Sequence, residues 1–426
     1  MKKHLLTLCL LMGCGRSILP LPSQTAPHQQ QPLGTCDGKS VLLMQGRDVT
    51  RVSPDGSVQT VFSFGAGQAE DSVWVATWLR GEGFVAGAAH LGAAANNTSN
   101  WEYAVIRDDG TVTHTHRSVA ASGMTIFLGN DGSLAGDGDT GWLVRADGTL
   151  VDLGPLQPMS ALLPSGDLMV ANGNSWEPAS PKGIWNNGVF SPRAMNSTVY
   201  DVIRVGSHLV AVDGTNLHSL VDDTRIALPL ENLFVLHTAG ENFVLLSNQQ
   251  QLVKVDLQAR TATLISGVSS DFPIRVDLGV DGSVMKTTET GDSLQLFRSS
   301  NLGASWNSVG APMVAGTDMG LGRWMHTQER GGSTLVSSVS TGYGDFINEV
   351  QLVTPNGSHS ISTGGVYVNT ELENSTSLSG DGECAVTWTR PEGSDFFDDA
   401  NLIFFSADGT EHTITGLQRG QVKLVP

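Results

Sequence analysis

Charge, aromatic side chains and cysteine are all scarce in this chain of 426 residues. Charged residues account for 15% of the sequence and aromatic residues for 6%, and there are four cysteines. Acidic residues outnumber basic ones, 42 against 24, so the formal net charge is −18. Because a surface of this sign repels the phosphates of DNA and RNA, the composition predicts no nucleic-acid partner.

Catalytic motifs are scarce as well. The sequence contains no Gly-x-Ser-x-Gly nucleophile elbow, no phosphate-binding loop and no His-Glu-x-x-His pair. We therefore predict no catalytic residue, no zinc site and no cofactor. The acidic stretch GDGDTG at 136–141 lacks the spacing of a helix-loop-helix calcium site. Its Asp137 and Asp139 either hold calcium in a loop or form a polar turn, and the stretch from Asp395 has the same two interpretations.

Glycine, by contrast, is abundant, with 50 residues spread along the chain. Many belong to a recurring phrase in which Asp-Gly or Asn-Gly separates two alternating runs, as in VRADGTLVDL from Val144. This pattern indicates a β-hairpin, because glycine accepts the positive φ that a tight turn needs. With a second, looser turn before each phrase, four strands form a unit of about forty residues. Such a repeat predicts an all-β fold, a single closed β-propeller of four-stranded antiparallel blades.

The outer hairpins give the number of blades. Nine of them turn near Asp55, Asp109, Asp147, Asn187, Asp223, Gln258, Asn301, Asn356 and Asp408. Propellers usually have about four to eight blades, so eight is the alternative if one unit is an insertion. The first strand of each unit is predicted to be innermost. The first blade, from Ser40, has only three strands, so we predict that QVKLV at 421–425 supplies its innermost strand and closes the ring.

Ring closure has a consequence for two cysteines. Cys36 precedes the second strand of the first blade, and Cys384 lies in the second strand of the last blade, which makes them neighbours in a closed ring. In an oxidising compartment we predict a Cys36–Cys384 disulfide that holds the ring closed. The alternative is a pair of buried, unpaired thiols.

The N-terminal segment MKKHLLTLCLLMGCGRS has a charged start and then an apolar run over 5–12. This pattern predicts a signal peptide, and no later apolar run reaches the roughly 18 residues of a membrane-spanning helix. The stretch Leu-Met-Gly-Cys at 11–14 resembles the lipobox of bacterial lipoproteins, with methionine at a position where it is less usual. The resemblance implies cleavage before Cys14 and lipid attachment to Cys14. Because Gly15 rather than aspartate follows, it also implies sorting to the outer membrane. Plain secretion is the alternative.

These features divide the chain into three parts. Residues 1–13 form the predicted signal peptide, 14–35 a lipid-anchored flexible tether rich in proline and glutamine, and 36–426 the propeller domain. In this arrangement the protein contacts the membrane through its lipid anchor alone.

Long connections between strands are the predicted binding loops, because they fall mainly on the face opposite the tight turns. They carry aromatic residues beside carboxylates, an arrangement that suits stacking on a sugar or contact with a protein. The candidates are Trp101, Trp176, Tyr343, Asp345, Asp395, Phe396, Phe397, Asp398 and Asp399. The alternative is that the rings only pin the loops to the body of the protein.

The stretch SSNLGASW at 299–306 resembles the Asp-box of sialidases and related propellers. Ser299, Asn301, Gly303 and Trp306 occupy its four positions, with asparagine in place of aspartate. The resemblance implies that these residues brace a turn away from any active site. We predict a non-catalytic binding or scaffold propeller with a protein or glycan partner. The alternative is a glycoside hydrolase or lyase of the Asp-box type.

Overall fold

A computed structural model of the chain describes residues 36–426 apart from 68–72, 94–98, 120–125, 130, 137–139, 174–179, 194–201, 249–250, 266–275, 317–321, 342–343, 369–374 and 392–399. The predicted lipid-attachment residue Cys14 and the acidic pair Asp137 and Asp139 lie outside these described residues. Regular structure in the described part is entirely β-strand, and none of it is a helix long and apolar enough to cross a membrane.

The strands form nine four-stranded antiparallel sheets, which are the nine blades of a propeller. The count of nine from the hairpin pattern is therefore confirmed over the alternative of eight. Blade 1 consists of β36 (Gln421–Val425), β1 (Ser40–Gln45), β2 (Asp48–Val52) and β3 (Val58–Ser63). Blade 2 consists of β4 (Trp74–Gly81), β5 (Phe84–Ala93), β6 (Ser99–Arg107) and β7 (Val112–Val119).

The next four blades follow the same order from inner to outer strand. Blade 3 has β8 (Ile126–Leu128), β9 (Leu134–Gly136), β10 (Gly141–Val144) and β11 (Leu150–Gly154). Blade 4 has β12 (Leu156–Pro158), β13 (Asp167–Asn172), β14 (Lys182–Asn186) and β15 (Val189–Pro192). Blade 5 has β16 (Ile203–Val205), β17 (His208–Asp213), β18 (Asn216–Ser219) and β19 (Arg225–Ala227). Blade 6 has β20 (Phe234–Ala239), β21 (Phe243–Ser247), β22 (Leu252–Asp256) and β23 (Thr261–Leu264).

Three blades complete the ring. Blade 7 has β24 (Val276–Leu278), β25 (Val284–Thr290), β26 (Ser293–Ser299) and β27 (Asn307–Val314). Blade 8 has β28 (Arg323–Arg330), β29 (Ser333–Thr341), β30 (Asp345–Thr354) and β31 (Gly357–Val368). Blade 9 has β32 (Thr376–Leu378), β33 (Cys384–Thr389), β34 (Ala400–Ser406) and β35 (Glu411–Leu417).

The predicted closure of the ring is confirmed by strand pairing. The last strand, β36, pairs antiparallel with β1, and Val422 lies opposite Leu43 in the register. Cys36 and Cys384 form the predicted disulfide, with their Cα atoms 5.2 Å apart. Both cysteines are buried. The two ends of the propeller domain are thus joined by a shared sheet and by a covalent bond.

The hydrophobic core is divided among the seams between blades. Among the described residues, nine clusters of buried apolar residues occur, and each one joins two blades that are consecutive in the ring. The cluster between blades 9 and 1 also includes Val366 of blade 8. The cluster between blades 9 and 1 contains the fully buried Trp388, whose indole N–H donates to the carbonyl oxygen of Gly420 at 2.9 Å. Nine seams for nine blades mean that every blade, including the first and the last, buries both faces.

The turn after β10 shows why the recurring Asp-Gly sequence forms a tight turn. The Asp147 carboxylate accepts a hydrogen bond of 2.9 Å from the backbone N–H of Thr149. Gly148 between them has a φ of +85° and donates its own N–H to Arg145 at 2.8 Å. Aspartate therefore fixes the turn and glycine supplies the left-handed conformation that other residues adopt only with strain.

Candidate functional site

The first strand of each blade lines a central channel, and all these strands run in the same direction. In blades 2 to 9 each one ends at the turn that leads to the second strand, so these turns lie on one face of the ring, which we call the turn face. A cavity of about 670 Å³ occupies the channel at this face, lined by eight of the nine inner strands. Its charged and polar lining residues are Arg80, Glu82, Arg204, His237, Thr238, Glu241, His326, Thr327, Gln328, Glu329, Arg330, Ser377 and Lys423.

Three positive side chains converge on one side of this cavity, where blades 8, 9, 1 and 2 meet. They are Arg80, Arg330 and Lys423, which we call the cation cluster. Arg80 donates hydrogen bonds to the carbonyl oxygen of Thr376 at 3.0 Å and to Ser377 Oγ at 3.1 Å. Arg330, the last residue of β28, is exposed. The cluster thus draws one residue each from blades 1, 2 and 8.

Lys423 is the buried member of the cation cluster. Its Nζ donates to the carbonyl oxygen of Phe84 at 3.0 Å and pairs with the Asp108 carboxylate. Burial lowers the pKa of Lys423, and the positive charges of Arg80 and Arg330 lower it further, against the opposing effect of Asp108. The lowered pKa shows that one carboxylate does not fully offset burial and the two neighbouring charges.

A fourth cation lies farther round the ring. The Arg204 guanidinium donates to the carbonyl oxygen of Leu128 at 2.9 Å. Burial lowers the pKa of Arg204, although Glu241 and Asp131 act against this effect. Glu82 and Glu241 are the exposed carboxylates of the lining. They belong to the first turns of blades 2 and 6, on opposite sides of the channel.

A histidine–carboxylate pair lies deeper in the channel on neighbouring inner strands. His237 Nε2 is 2.8 Å from the Asp277 carboxylate, and Thr327 Oγ1 donates to the other Asp277 oxygen at 3.2 Å. Burial raises the pKa of Asp277, but the hydrogen bond and charge of His237, together with the Leu278 N–H and the charge of His326, outweigh this effect, so the pKa lies below its ordinary value. An ionised carboxylate with both oxygens engaged stabilises three adjacent blades and is poorly suited to donate a proton.

Glu329, another carboxylate of the lining, is also engaged by the protein. Its oxygens accept the backbone N–H of Val280 at 2.8 Å and form an ion pair with Arg298. Glu329 therefore joins blades 7 and 8, and its charge is already matched. Among the described lining residues, this leaves Glu82 and Glu241 as the exposed carboxylates and the cation cluster as the main concentration of charge.

Two of the predicted loop residues can be placed, and neither is an exposed binding residue. Trp101 lies in β6 and is 6% exposed, with its ring centroid 5.3 Å from that of His90. The prediction of Trp101 as an exposed loop aromatic is wrong, because β6 begins at Ser99 and carries the ring into the core. Asp345 is the half-buried first residue of β30 and accepts a hydrogen bond from Thr341 Oγ1 at 2.8 Å.

The other candidates for loop binding lie outside the described residues. These are Trp176, Tyr343, Asp395, Phe396, Phe397, Asp398 and Asp399. Their role in binding stays a prediction. The channel residues are not predicted from the sequence; their shared feature is their position at the end of the first strand of a unit or in the turn after it.

The turn that resembles an Asp-box is held by its own side chains. Ser299 Oγ accepts the N–H of Gly303 at 2.8 Å and donates to Asn301 Oδ1 at 2.9 Å. The same Asn301 oxygen accepts the N–H of Ser305 at 2.9 Å. Trp306 packs beneath the Lys286 ammonium, 4.2 Å from Nζ to the ring centroid. This turn lies between β26 and β27 at the outer edge of blade 7, away from the channel.

A further cluster that is not predicted from the sequence lies on the outer hairpin of blade 2. Glu102 on β6 and His114 and His116 on β7 place one potential ligand atom each within 4.8 Å of one another. The signal that finds this cluster is the His-Thr-His spacing at 114–116, which puts both imidazoles on one face of a strand. No metal site was predicted from it.

Comparisons with known proteins leave the function open. No family model matches the chain, and no curated protein matches it. Among solved structures, it is similar to dipeptidyl peptidase 4 of Porphyromonas gingivalis, with 11% identity and a TM-score of 0.42 over 87% of this chain and 58% of the peptidase. This chain therefore spans less than two thirds of that enzyme.

Two further solved structures show similarity of the same order. One is the dihydro-heme d1 dehydrogenase NirN, with 11% identity and a TM-score of 0.40 over 94% of this chain and 77% of the other. The second is the β-propeller domain of the Trilobed protease from Pyrococcus furiosus, with 10% identity and a TM-score of 0.38 over 68% and 95%. Similarity at this level says nothing about the function of the present chain.

Proposed function

We propose that this protein is a lipid-anchored, non-catalytic binding propeller of the bacterial outer membrane, and that its partner places an anionic group against the cation cluster. The observation that carries the proposal is the convergence of Arg80, Arg330 and Lys423 in one cavity. The protein as a whole has a formal net charge of −18, so this concentration of positive charge is opposite in sign to the rest of the molecule.

The electrostatics favour an anion at this place. Like charges that share a partly desolvated cavity raise each other's free energy, and a bound anion would relieve this repulsion. Arginine presents paired N–H donors that match a carboxylate. The anionic group could come from an acidic sugar or from an acidic side chain or C-terminus of a protein, because both carry the same carboxylate chemistry.

Two arrays distinguish these sources. Full-length protein is applied to an array of acidic and neutral glycans and to an array of peptides with acidic or amidated ends. The expected result is binding to acidic members of one array and loss of binding when the carboxylate is amidated or reduced. Equal binding to neutral and acidic members would contradict the proposal.

A matched pair of variants tests the cation cluster. R330Q removes an exposed positive charge at the channel, whereas R260Q removes one at an outer turn of the same face, where Arg260 is 64% exposed. R330Q is expected to weaken binding by about 10- to 100-fold, because a hydrogen bond to a charged group contributes roughly 1.5–3 kcal/mol. R260Q should bind as the unchanged protein does, and equal losses in both variants would indicate a nonspecific charge effect.

The proposed anchor has its own test, which does not depend on the ligand. In cells given labelled fatty acid, the protein should take up label and fractionate with outer membranes. C14S should take up no label and appear in the soluble fraction. If the protein with Cys14 intact takes up no labelled fatty acid, the proposed lipid anchor is wrong. The proposal for the channel site does not depend on this result.

The alternative, a glycoside hydrolase or lyase, is favoured by the presence of Glu82 and Glu241 in the same cavity as the cations. A glycosidase, however, needs two carboxyl groups about 5–10 Å apart, and these two belong to blades on opposite sides of the ring. The non-catalytic function therefore fits better. If an acidic glycan that binds is also cleaved, and E82Q or E241Q abolishes cleavage while leaving binding, the enzymatic alternative is correct.

A further inference from the structure

The cluster of Glu102, His114 and His116 lies on one face of the outer hairpin of blade 2. His114 and His116 alternate with Thr115 on β7, so both imidazoles extend from the same face. Glu102 lies directly opposite His116 in the register of β6 and β7. Glu102 Oε1 is 3.8 Å from His116 Nε2. Strand periodicity and strand register thus place two nitrogens and one carboxylate oxygen together.

Glu102 is oriented from the side opposite the histidines. The residue is 5% exposed, and its Oε2 accepts the backbone N–H of Gly65 at 2.8 Å. Gly65 belongs to the segment that follows β3 and has a φ of +61°. The bond from Gly65 fixes the carboxylate plane and leaves Oε1 toward the imidazoles. A backbone donor that orients a ligating carboxylate in this way is typical of metal sites.

The two histidines are exposed, so the open side of the cluster faces solvent. The His116 side chain is 60% exposed, and the His114 and His116 rings meet edge to face at 5.8 Å between centroids. An ion can therefore reach the cluster, and a coordination position on the solvent side stays available to water or another ligand.

We propose that Glu102, His114 and His116 bind a divalent transition-metal ion with the preferences of Zn²⁺. Two imidazole nitrogens and one carboxylate oxygen are a ligand set that suits Zn²⁺ better than Ca²⁺ or Mg²⁺, which prefer oxygen. Around tetrahedral zinc, ligand atoms lie about 3.4 Å apart, from metal–ligand distances near 2.0–2.1 Å. The ligand atoms of the three residues are up to 4.8 Å apart. Rotation of the exposed imidazoles would shorten these distances to the value for zinc. This site is at the outer edge of blade 2 and does not depend on the channel function.

The test is a titration of full-length, untagged protein, stripped of metal with a chelator, against ZnCl₂ by isothermal calorimetry. CaCl₂ and MgCl₂ serve as oxygen-preferring controls. One Zn²⁺ per chain is expected, with no heat from the other two ions. A Zn²⁺ stoichiometry well below one, or equal binding of Ca²⁺, would overturn the proposal.

Variants assign the site to these residues. H114A/H116A should abolish Zn²⁺ binding, and E102Q should weaken it by at least about 10-fold, the effect usual for lost metal-site contacts. H359A is the matched control, because His359 Nε2 lies 2.7 Å from Glu411 Oε1 in a histidine–carboxylate pair elsewhere on the ring. Binding retained in H114A/H116A, or lost in H359A, would overturn the assignment.

Folding is checked separately for each variant. The thermal midpoint without metal should be unchanged in H114A/H116A, since both side chains are exposed. If E102Q is destabilised, Co²⁺ provides the second measurement. Co²⁺ bound to the unchanged protein should show the visible bands of a tetrahedral site, and H114A/H116A should show the spectrum of free aqueous Co²⁺. Identical spectra for the two proteins would refute the site.

Discussion

Replacement of the disulfide by two alanines, C36A/C384A, should lower the thermal midpoint while leaving the ring folded. The bond joins residues 348 positions apart in the chain. In the loop-entropy model, a loop of this length adds about 5–6 kcal/mol by restricting the unfolded chain. The unfolding entropy is roughly 2.1 cal/mol/K per residue, or about 0.8 kcal/mol/K for a domain of this size. The expected decrease is therefore about 7 °C as an upper value.

The assay follows unfolding by circular dichroism in the oxidised protein, the reduced protein and the double variant. Reduced protein and C36A/C384A should unfold at similar temperatures, below the oxidised protein. K39M is the control at the same seam, because it removes the Lys39–Asp381 ion pair. Partly exposed ion pairs contribute only about 0–1 kcal/mol, so K39M should shift the midpoint little.

One result would refute the reasoning. Thiol titration of the denatured, unreduced protein should find no free Cys36 or Cys384. If that bond is present and the double variant still unfolds at the oxidised midpoint, the disulfide does not restrict the unfolded chain as argued. Ring closure would then depend on the pairing of β36 with β1 and on the apolar seam alone.

Three other predictions concern stability. W388A should destabilise the protein by about 3–5 kcal/mol in denaturant unfolding, because Trp388 is fully buried and its indole bonds to Gly420; W388F should cost less. G303A should cost about 1–2 kcal/mol, because Gly303 has a φ of +89° that alanine adopts with strain; a neutral result in the same assay would contradict this. Backbone hydrogen bonds hold the pKa of Asp109 and Asp147 below the ordinary 3.8. The stability that these two ionised carboxylates add is present above pH 3.8 and is lost as the pH falls through their lowered pKa values. D147N should therefore show a smaller decrease in thermal midpoint on acidification than the unchanged protein. The same pH profile in both proteins would contradict this prediction.

The ring, the number of blades and the closing strand could be predicted, because the sequence signals of each hairpin lie within a few residues of one another. Several outer hairpins depend on a carboxylate and a glycine within a few residues, as at Asp147 and Gly148. Alternation of apolar residues then sets which face of each strand is buried. The disulfide followed from the oxidising compartment that a signal peptide implies and from position, since a closed ring brings the blades of Cys36 and Cys384 together.

Trp101 shows where local patterns were insufficient. It follows a run of small and polar residues that resembles a loop, yet it pairs with His90 across β5 and β6. The strand extends farther than its sequence pattern indicates, because burial of a large ring against the neighbouring blade stabilises the extra residues. An aromatic residue at the end of a loop is therefore weak support for a binding surface.

The cation cluster could not be found from the sequence, because each of its members comes from a different blade. Arg80, Arg330 and Lys423 are separated by most of the chain, and none belongs to a motif. They meet only after the ring closes. The Glu102 cluster is different, since two of its three members are two residues apart, and the strand prediction alone would have placed them on one face.

Closure of the ring and construction of the channel site depend on the same strand. On β36, Val422 and Leu424 pack into the seam with blade 9, while Val425 packs into the seam with blade 2. Alternation then directs Lys423 toward blade 2, where it reaches Phe84 and Asp108. The strand that seals the sheet thus carries the buried member of the cation cluster. The site exists only in the closed ring, so binding of an anion would stabilise closure by the same free energy with which closure favours binding.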